Sequence, residues 1–429
     1  MQYVIQQELG NGAMCYSQRD PSGSTYLGGY GVNVGSVYDP RGDPVTGKPS
    51  RRGLAHAVEH IAARESKKYS VLDVDRVIHS VLGGLSACNI AVNLTGTSFA
   101  TTMLASKKHL TVALNMFRSL LKDRIITSFG KSVELAAIHQ EHWLTGSSYD
   151  DLIASFFYET AYDINPARNP VDGYVDEFKQ ITLADVRAFI RRYYVPRNMF
   201  FLTIGPKADE AKEMGERYLG DWPKGSMPTI DYNHSDDFIK LTTMRSNEKP
   251  TEGVRQHLIA IGFRTETYLS PDGPALDMLA EILRFRLLVR LREANTDFNK
   301  GAYRTPVVTD RSFIHGLIYT WMATLSAEYA KYCEDIIIEE FNRVREELVS
   351  KEDFEAFRQT AIFPYLLAFR GYPDNLSDLI MDAAGNGDRD MSHLNSFKQR
   401  FAKVTRRKLR DVANKYFTQD YIRAIIRPA

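Results

Sequence analysis

Two histidines and a glutamate fall within five residues of this 429-residue chain, His56-Ala57-Val58-Glu59-His60. On a helix, residues four apart differ by about 40° around the axis and about 6 Å along it. Both imidazoles can therefore face one small cation. Glu59 stands beside the second histidine, within reach of a water on that cation. Two neutral ligands and an adjacent base are the parts needed for metal-assisted hydrolysis. The plain alternative is an ordinary polar helical patch, since a five-residue pattern with two free positions arises by chance.

A catalytic zinc takes three protein ligands and keeps a fourth position open. His56 and His60 supply two, so the third must come from another element. The segment Glu134-Leu135-Ala136-Ala137-Ile138-His139-Gln140-Glu141-His142-Trp143 offers two glutamates seven apart. Seven residues return to within about 20° on a helix, so Glu134 and Glu141 share a face. One can ligate while the other holds a histidine ligand. His139 and His142, three apart, match no mechanism and are read as surface or packing residues. His79, His109, His234, His257, His315 and His393 are scattered and read as structural.

These residues need a scaffold, and the chain reads as one domain encoded twice. Thr182 to Tyr194 reads as an amphipathic helix, followed by Pro196-Arg197-Asn198 and the apolar strand Met199 to Ile204. Near the C-terminus a similar helix starts at Thr405 and runs through Leu409, Val412, Tyr416 and Phe417 to a strand at Tyr421 to Ile426. Thr182 and Thr405, Tyr193 and Tyr416, and Tyr194 and Phe417 stand at one common separation. One long-period duplication implies two similar domains rather than a solenoid. The expected division is residues 1–220, a linker over 221–240 that begins Asp221-Trp222-Pro223-Lys224-Gly225, and residues 241–429.

In the first half, Leu27 to Val37 reads as a Gly- and Val-rich strand region, and Arg41 to Pro49 as a loop. A helix through Val71, Val74, Val77, Ile78 and Leu82 stops at Gly83-Gly84. Asn89 to Phe99 reads as one strand and Leu110 to Leu121 as a helix. Strands and helices mix without a βαβ rhythm. The fold class is α+β: two similar domains, each a mostly antiparallel sheet with helices on one face.

Composition excludes several classes. With 54 basic and 53 acidic side chains the formal charge is +1, and nothing suggests a nucleic-acid or membrane partner. No apolar run approaches the roughly 20 residues that span a bilayer. Cys15, Cys88 and Cys333 are isolated, without a CxxC pair, which argues against a disulfide framework or a thiolate metal site. The segment Met1 to Gly10 has neither a basic n-region nor an apolar h-region, so the expected location is cytoplasmic.

A family resemblance follows from these residues. Arg52-Gly53-Leu54-Ala55-His56-Ala57-Val58-Glu59-His60 resembles the His-x-x-Glu-His box of the inverzincin zinc metallopeptidases, the pitrilysin, insulysin and mitochondrial processing peptidase type. Leu9-Gly10-Asn11-Gly12, the Glu134…Glu141-His142 pair, Asn169-Pro170-Val171-Asp172-Gly173 and Tyr194-Val195-Pro196-Arg197-Asn198 resemble further parts of that pattern. Asn89, Thr97 and Phe99 fit its Asn…Thr-x-Tyr strand in part. Arg290-Leu291-Arg292-Glu293 and Gly301-Ala302-Tyr303 resemble its second-domain boxes, although Tyr303 follows Arg292 at a longer spacing, with Asn295 to Lys300 as an apparent insertion. Ala63-Arg64-Glu65-Ser66 departs from the family's run after the motif.

The resemblance implies a Zn²⁺ endopeptidase acting on short or unfolded peptides. His56, His60 and Glu141 would be the metal ligands, Glu134 would hold a ligand from behind, and Glu59 would be the general base. Asn89 would bind substrate backbone, and Arg292 and Tyr303 would bind substrate and stabilise the oxyanion. It also implies a homodimer or a heterodimer with a paralogous subunit. Two alternatives belong to the same family: the catalytic half of an obligate heterodimer, and a non-catalytic scaffold subunit.

Overall fold

The computed structural model describes residues 3–19, 25–43, 47–84, 87–145, 148–205, 208–229, 241, 243–294 and 302–429. In the first half the order is β1 (Ile5–Glu8), β2 (Met14–Gln18), β3 (Thr25–Val32), β4 (Arg41–Asp43), β5 (Lys48–Ser50), α1 (Leu54–Arg64) and α2 (Val71–Ser80). There follow β6 (Cys88–Val92), β7 (Thr97–Leu104), α3 (Lys107–Lys122), α4 (Ser128–Thr145), α5 (Tyr149–Ala161), α6 (Val175–Phe178), α7 (Leu183–Tyr193), β8 (Met199–Ile204) and α8 (Ala208–Tyr218). The second half comprises β9 (Arg245–Thr251), β10 (His257–Arg264), α9 (Gly273–Leu288), β11 (Val307–Arg311), β12 (Gly316–Thr324) and α10 (Ala327–Glu346). It ends with α11 (Lys351–Ala368), α12 (Pro373–Gly385), α13 (Ser392–Asn395), α14 (Phe397–Ala402), α15 (Arg406–Tyr416) and β13 (Ile422–Pro428).

The duplication is visible in the sheets. One has the order β1-β2-β8-β3-β7-β6 and the other β11-β12-β10-β13-β9. Read from β6 and from β11, the two sequences of strands coincide, and β1 is an addition to the first. In each, a single parallel pair, β2 with β8 and β9 with β13, interrupts antiparallel ladders. The fold is α+β, as expected. The repeated helices α7 and α15 agree in detail: Thr182 and Thr405 each accept a hydrogen bond from the backbone three residues on, and both helices span eleven residues. The N-cap hydroxyl satisfies one of the amides that every helix start leaves unpaired.

Two compact units form, and neither is a continuous half. The first takes Met1–His142, Pro170–Asp231 and Tyr365–Asn395, and the second takes Trp143–Asn169, Tyr232–Pro364 and Ser396–Ala429. Thus α5 packs on β10 and β13 of the second sheet, while α12 packs on β3 and β7 of the first. These two helices hold the same place in each repeat, so the halves exchange an equivalent helix. Of the linker read at 221–240, residues 230–240 lie outside the described residues.

Some local readings differ from the structure. The strand at Leu27–Val37 ends at Val32 and continues as a 3₁₀ turn, Ser36–Tyr38. The loop at Arg41–Pro49 carries the small β4–β5 ribbon. Asn89–Phe99 is not one strand but the hairpin β6–β7. Its turn is set by Asn93, whose Oδ1 accepts from the amides of Thr95 and Gly96 at 2.8 and 2.7 Å. Such a side chain mimics a backbone turn and reverses the chain. By contrast, α2 runs from Val71 to Ser80, with Gly83 and Gly84 at positive φ beyond it.

Candidate metal centre

Helix α1 is apolar almost all round. Leu54, Ala55, Ala57, Val58, Ile61 and Ala62 are buried in one core with residues of β3, α2, α3 and α7. A helix of that kind must sit inside the molecule, and it carries His56 and Glu59 into buried positions and His60 into a half-buried one. His56 and Glu59 are each 7% exposed. The start of the helix is tightly constrained. Gly53 has φ +91°, and a Cβ there would lie 2.6 Å from the carbonyl oxygen of Asp172. Gly173, at φ +73°, would place a Cβ 2.3 Å from the carbonyl oxygen of Arg52. The turn at 170–173 and the first turn of α1 therefore meet backbone to backbone.

The two imidazoles face each other as the spacing requires. Nε2 of His60 lies 3.2 Å from Nε2 of His56. From α4, Oε2 of Glu141 lies 3.5 Å from Nε2 of His56 and 3.2 Å from Nε2 of His60. Three tetrahedral ligand atoms held about 2.0–2.1 Å from zinc would stand roughly 3.3 Å from one another. The three observed separations bracket that value, so this nitrogen, nitrogen, oxygen set fits a zinc ion. Glu59 is set back: its Oε2 is 3.9 Å from each Nε2. It is near enough to act beside the metal and too far to complete the triangle.

Glu134 takes a different place from Glu141, although both lie on one face of α4. Its Oε2 is 3.4 Å from Nδ1 of His60, on the far side of the ring from the proposed metal position. Its Oε1 accepts from Nη1 of Arg64 at 2.5 Å. Arg64, from the segment that departs from the family run, thus anchors the carboxylate behind His60. Nδ1 of His56 is buried and has no hydrogen-bond partner among the described residues.

The charges explain the titration of these groups. Burial pushes the Glu59 carboxyl above the usual carboxylate range; His60 and His56 pull it back, and Glu141 and Glu134 add to the rise. Burial draws His60 down, but the hydrogen bond to Glu134 and the charges of Glu59 and Glu141 carry it above its ordinary value. Glu141 is held low first by its hydrogen bond to His56. A glutamate whose pKa is raised by burial is a better proton acceptor than an exposed one.

The other candidates are placed as follows. Asn89 lies on β6, the edge strand of the first sheet, and its Nδ2 donates to Asp378 of α12 at 3.2 Å. Cys88, Ile90 and Val92 pack towards the core that holds α1. In the second unit, α9 ends in a π-helical turn, Val289–Glu293. Within it, Arg292 lies 6.0 Å above the ring of Tyr303 and donates from Nη1 to the Tyr303 carbonyl at 3.4 Å. Tyr303 is 82% exposed. The insertion Asn295 to Lys300, and Gly301, lie outside the described residues. His139 and His142 pack at 6.2 Å against Phe178, and His142 Nδ1 is 3.2 Å from Asp172, which accords with their packing role.

Comparison with known proteins adds the lineage. Residues 180–360 match the family profile described as the peptidase M16 inactive domain. That stretch contains neither α1 nor α4. Counted from the glycine that opens each helix, α9 has Leu276, Leu279 and Ala280 where α1 has His56, Glu59 and His60. All three are buried, so the equivalent face of α9 is core and offers no metal ligand. The zinc protease PqqE of Helicobacter pylori is 23% identical over 238 residues, covering 54% of this chain and 52% of that protein. The human mitochondrial-processing peptidase subunit beta is 23% identical over 221 residues, covering 50% of this chain and 42% of that protein. The matches therefore span about half the length of these curated relatives. A crystal structure of a protease from Helicobacter pylori is similar over 100% of both chains, with a TM-score of 0.85 at 17% identity.

Proposed function

The chain belongs to the M16 peptidase family, and from that premise we propose that it is a zinc-dependent endopeptidase hydrolysing short or unfolded peptides. One observation carries the reading: the near-tetrahedral spacing of His56 Nε2, His60 Nε2 and Glu141 Oε2 at 3.2–3.5 Å, with Glu59 set back at 3.9 Å. His56, His60 and Glu141 would hold Zn²⁺. When bound, the ion supplies a Lewis acid that lowers the pKa of water and polarises a carbonyl.

The chain's own residues supply the rest. Glu59 takes the proton of the attacking water and returns it to the leaving amine, work suited to a buried carboxyl with a raised pKa. Glu134 keeps the His60 ring oriented, and Arg64 keeps Glu134 oriented. The open edge of β6 offers backbone groups to an extended peptide, which would bind by strand addition with little sequence preference. On that strand Asn89 is the proposed substrate-binding residue. Arg292 and Tyr303 are proposed to bind substrate and steady the oxyanion; their mutual contact supports a joint role.

A second reading has its own support. The human relative carries the name of a subunit, so this chain would be the catalytic half of a heterodimer with a paralogous peptidase subunit, a homodimer being the other arrangement. The mass of the purified chain, alone and with a neighbouring paralogue, separates the two. Among the described residues no helix is long and apolar enough to cross a membrane. A cytoplasmic location is proposed on the three free cysteines.

Metal analysis coupled to digestion of an unstructured peptide library tests the main reading. The expected result is one zinc per chain and hydrolysis abolished by a chelator. In Glu59→Gln zinc should stay while the rate falls about 100- to 10,000-fold. Full activity in that variant removes Glu59 as the base. A zinc-loaded chain that cleaves nothing, alone or with a paralogue, supports the scaffold alternative.

A further inference from the structure

We infer that Asp39 is the positioning residue of the metal helix: its carboxyl group clamps the first turn of α1 and thereby sets where the imidazoles of His56 and His60 meet. The inference rests on the zinc reading above. Asp39 lies just beyond the 3₁₀ turn Ser36–Tyr38 and is 5% exposed. Its Oδ2 accepts from the amide of Gly53 at 2.7 Å and its Oδ1 from the amide of Ala55 at 2.7 Å. Among the described residues it makes no ion pair.

Every helix start leaves amides without intrahelical partners. The N-cap of α1 is Gly53, which has no side chain to meet them. Asp39 supplies from another segment what a serine or aspartate at the cap would supply locally. Burial pushes the Asp39 carboxyl up to about 8 against the pull of the Ala55, Gly53 and Leu54 amides, so the clamp rests on the two hydrogen bonds and not on charge. A single cap bond would add one point of restraint to the core packing of the helix and little control of its rotation. Two bonds, to residues two apart on different sides of the first turn, fix both the height of the helix and its rotation.

Rotation matters because His56 follows Ala55 directly. Side chains reach about 5–6 Å from a helix axis, so a turn of 20° displaces a ligand atom by about 2 Å. A metal site tolerates deviations of only about 0.2 Å in its ligand distances. The Glu141 oxygen comes from α4, a separate helix, so the ligand triangle closes only if α1 holds its angle.

The experiment compares zinc affinity in the full-length wild type, Asp39→Asn and Asp39→Ser by competition with a chromophoric chelator, using circular dichroism and thermal melts to establish folding. Ser70→Ala serves as the control, because Ser70 is the local N-cap of α2, with an Asp73 capping box, on a helix that carries none of the candidate metal ligands. The expected result is a loss of about 10–100-fold in zinc affinity in the Asp39 variants. Peptide hydrolysis should recover at saturating zinc with KM unchanged, and Ser70→Ala should bind zinc as the wild type does. A folded Asp39→Asn with wild-type zinc affinity overturns the inference and leaves the peptidase reading intact. An equal loss in Ser70→Ala, or failure of both Asp39 variants to fold, overturns it as well, since the role would then be general stability. If the wild type takes up no zinc, the functional reading falls and the inference falls with it.

Discussion

The division of labour between Glu134 and Glu141 is decided by which nitrogen of His60 each one meets. Glu141 faces both Nε2 atoms, whereas Glu134 faces Nδ1 of His60 and is tied to Arg64. Removing them should therefore do different things. Glu141→Ala deletes a proposed ligand and should abolish stoichiometric zinc at micromolar metal. Glu134→Ala keeps all three ligands and should weaken zinc by about 10–100-fold. Equilibrium dialysis against a zinc buffer measures both, and equal losses in the two variants would remove the distinction. His56, Glu59 and His60 were legible in the sequence because chelation across one helical turn needs only local geometry. Helical geometry alone left the roles of the two glutamates open, since both share a face of α4. The family resemblance implied Glu141 as ligand and Glu134 behind it, and the position of His60 is what separates the two. Asp39 and Arg64 left no local signal at all: each acts on a residue brought near by folding.

At the level of elements, the helices at the start of the repeats are fastened in different ways. At the head of α9, Asp272 is 3% exposed and accepts from Lys408 at 2.6 Å, Lys415 at 2.9 Å and Tyr416 at 2.8 Å, all from α15 or its first turn. Burial raises its carboxyl, but those three donors overcome it and hold the pKa at about 2. An unfolded aspartate titrates near about 3.9. The folded state thus holds the ionised form more tightly, and the contribution is full above about pH 4 and is lost as pH falls towards 2. Asp272→Asn should lower the urea midpoint at pH 6, and the gap from wild type should close as the pH drops through that window. A gap that stays constant from pH 6 to pH 2 would show that charge is not what Asp272 contributes.

Besides the Asp39 hydrogen bonds, helix α1 depends on close backbone approach. Gly173→Ala would force a Cβ to within 2.3 Å of the Arg52 carbonyl oxygen at a φ of +73°. Backbone strain of this kind costs about 1–3 kcal/mol, and the displaced turn adjoins the metal helix. The variant should melt earlier and bind zinc more weakly, the first read from scanning calorimetry of the metal-free chain and the second from a zinc titration. Unchanged behaviour in both would show that the 170–173 turn can yield. The sequence marked these glycines only as part of a turn; that two glycine-bearing segments meet backbone to backbone is a fact of packing.

For the whole molecule, the duplication was legible and the exchange of helices was not. The repeat shows in Thr182/Thr405 and Tyr193/Tyr416 because helix caps and core aromatics are local requirements. Nothing in α5 or α12 states which sheet it will cover, since an amphipathic face suits either. Yet the exchange decides whether half the chain can stand alone. Leu376, Ile380 and Met381 of α12 are 0%, 0% and 7% exposed, and α12 lies against β3 and β7 of the first sheet. Burying three such side chains is worth about 5–9 kcal/mol at roughly 1.5–3 kcal/mol each. That is as large as the whole stability of many domains, about 5–15 kcal/mol. Residues 1–229 expressed alone contain every proposed metal ligand but lack α12. We expect this fragment to show no cooperative melt and no tight zinc binding, and both to appear when residues 230–429 are co-expressed with it. A lone 1–229 fragment that melts cooperatively and takes up zinc as the intact chain does would show that α12 is dispensable, and that the first sheet can retain the metal helix without it.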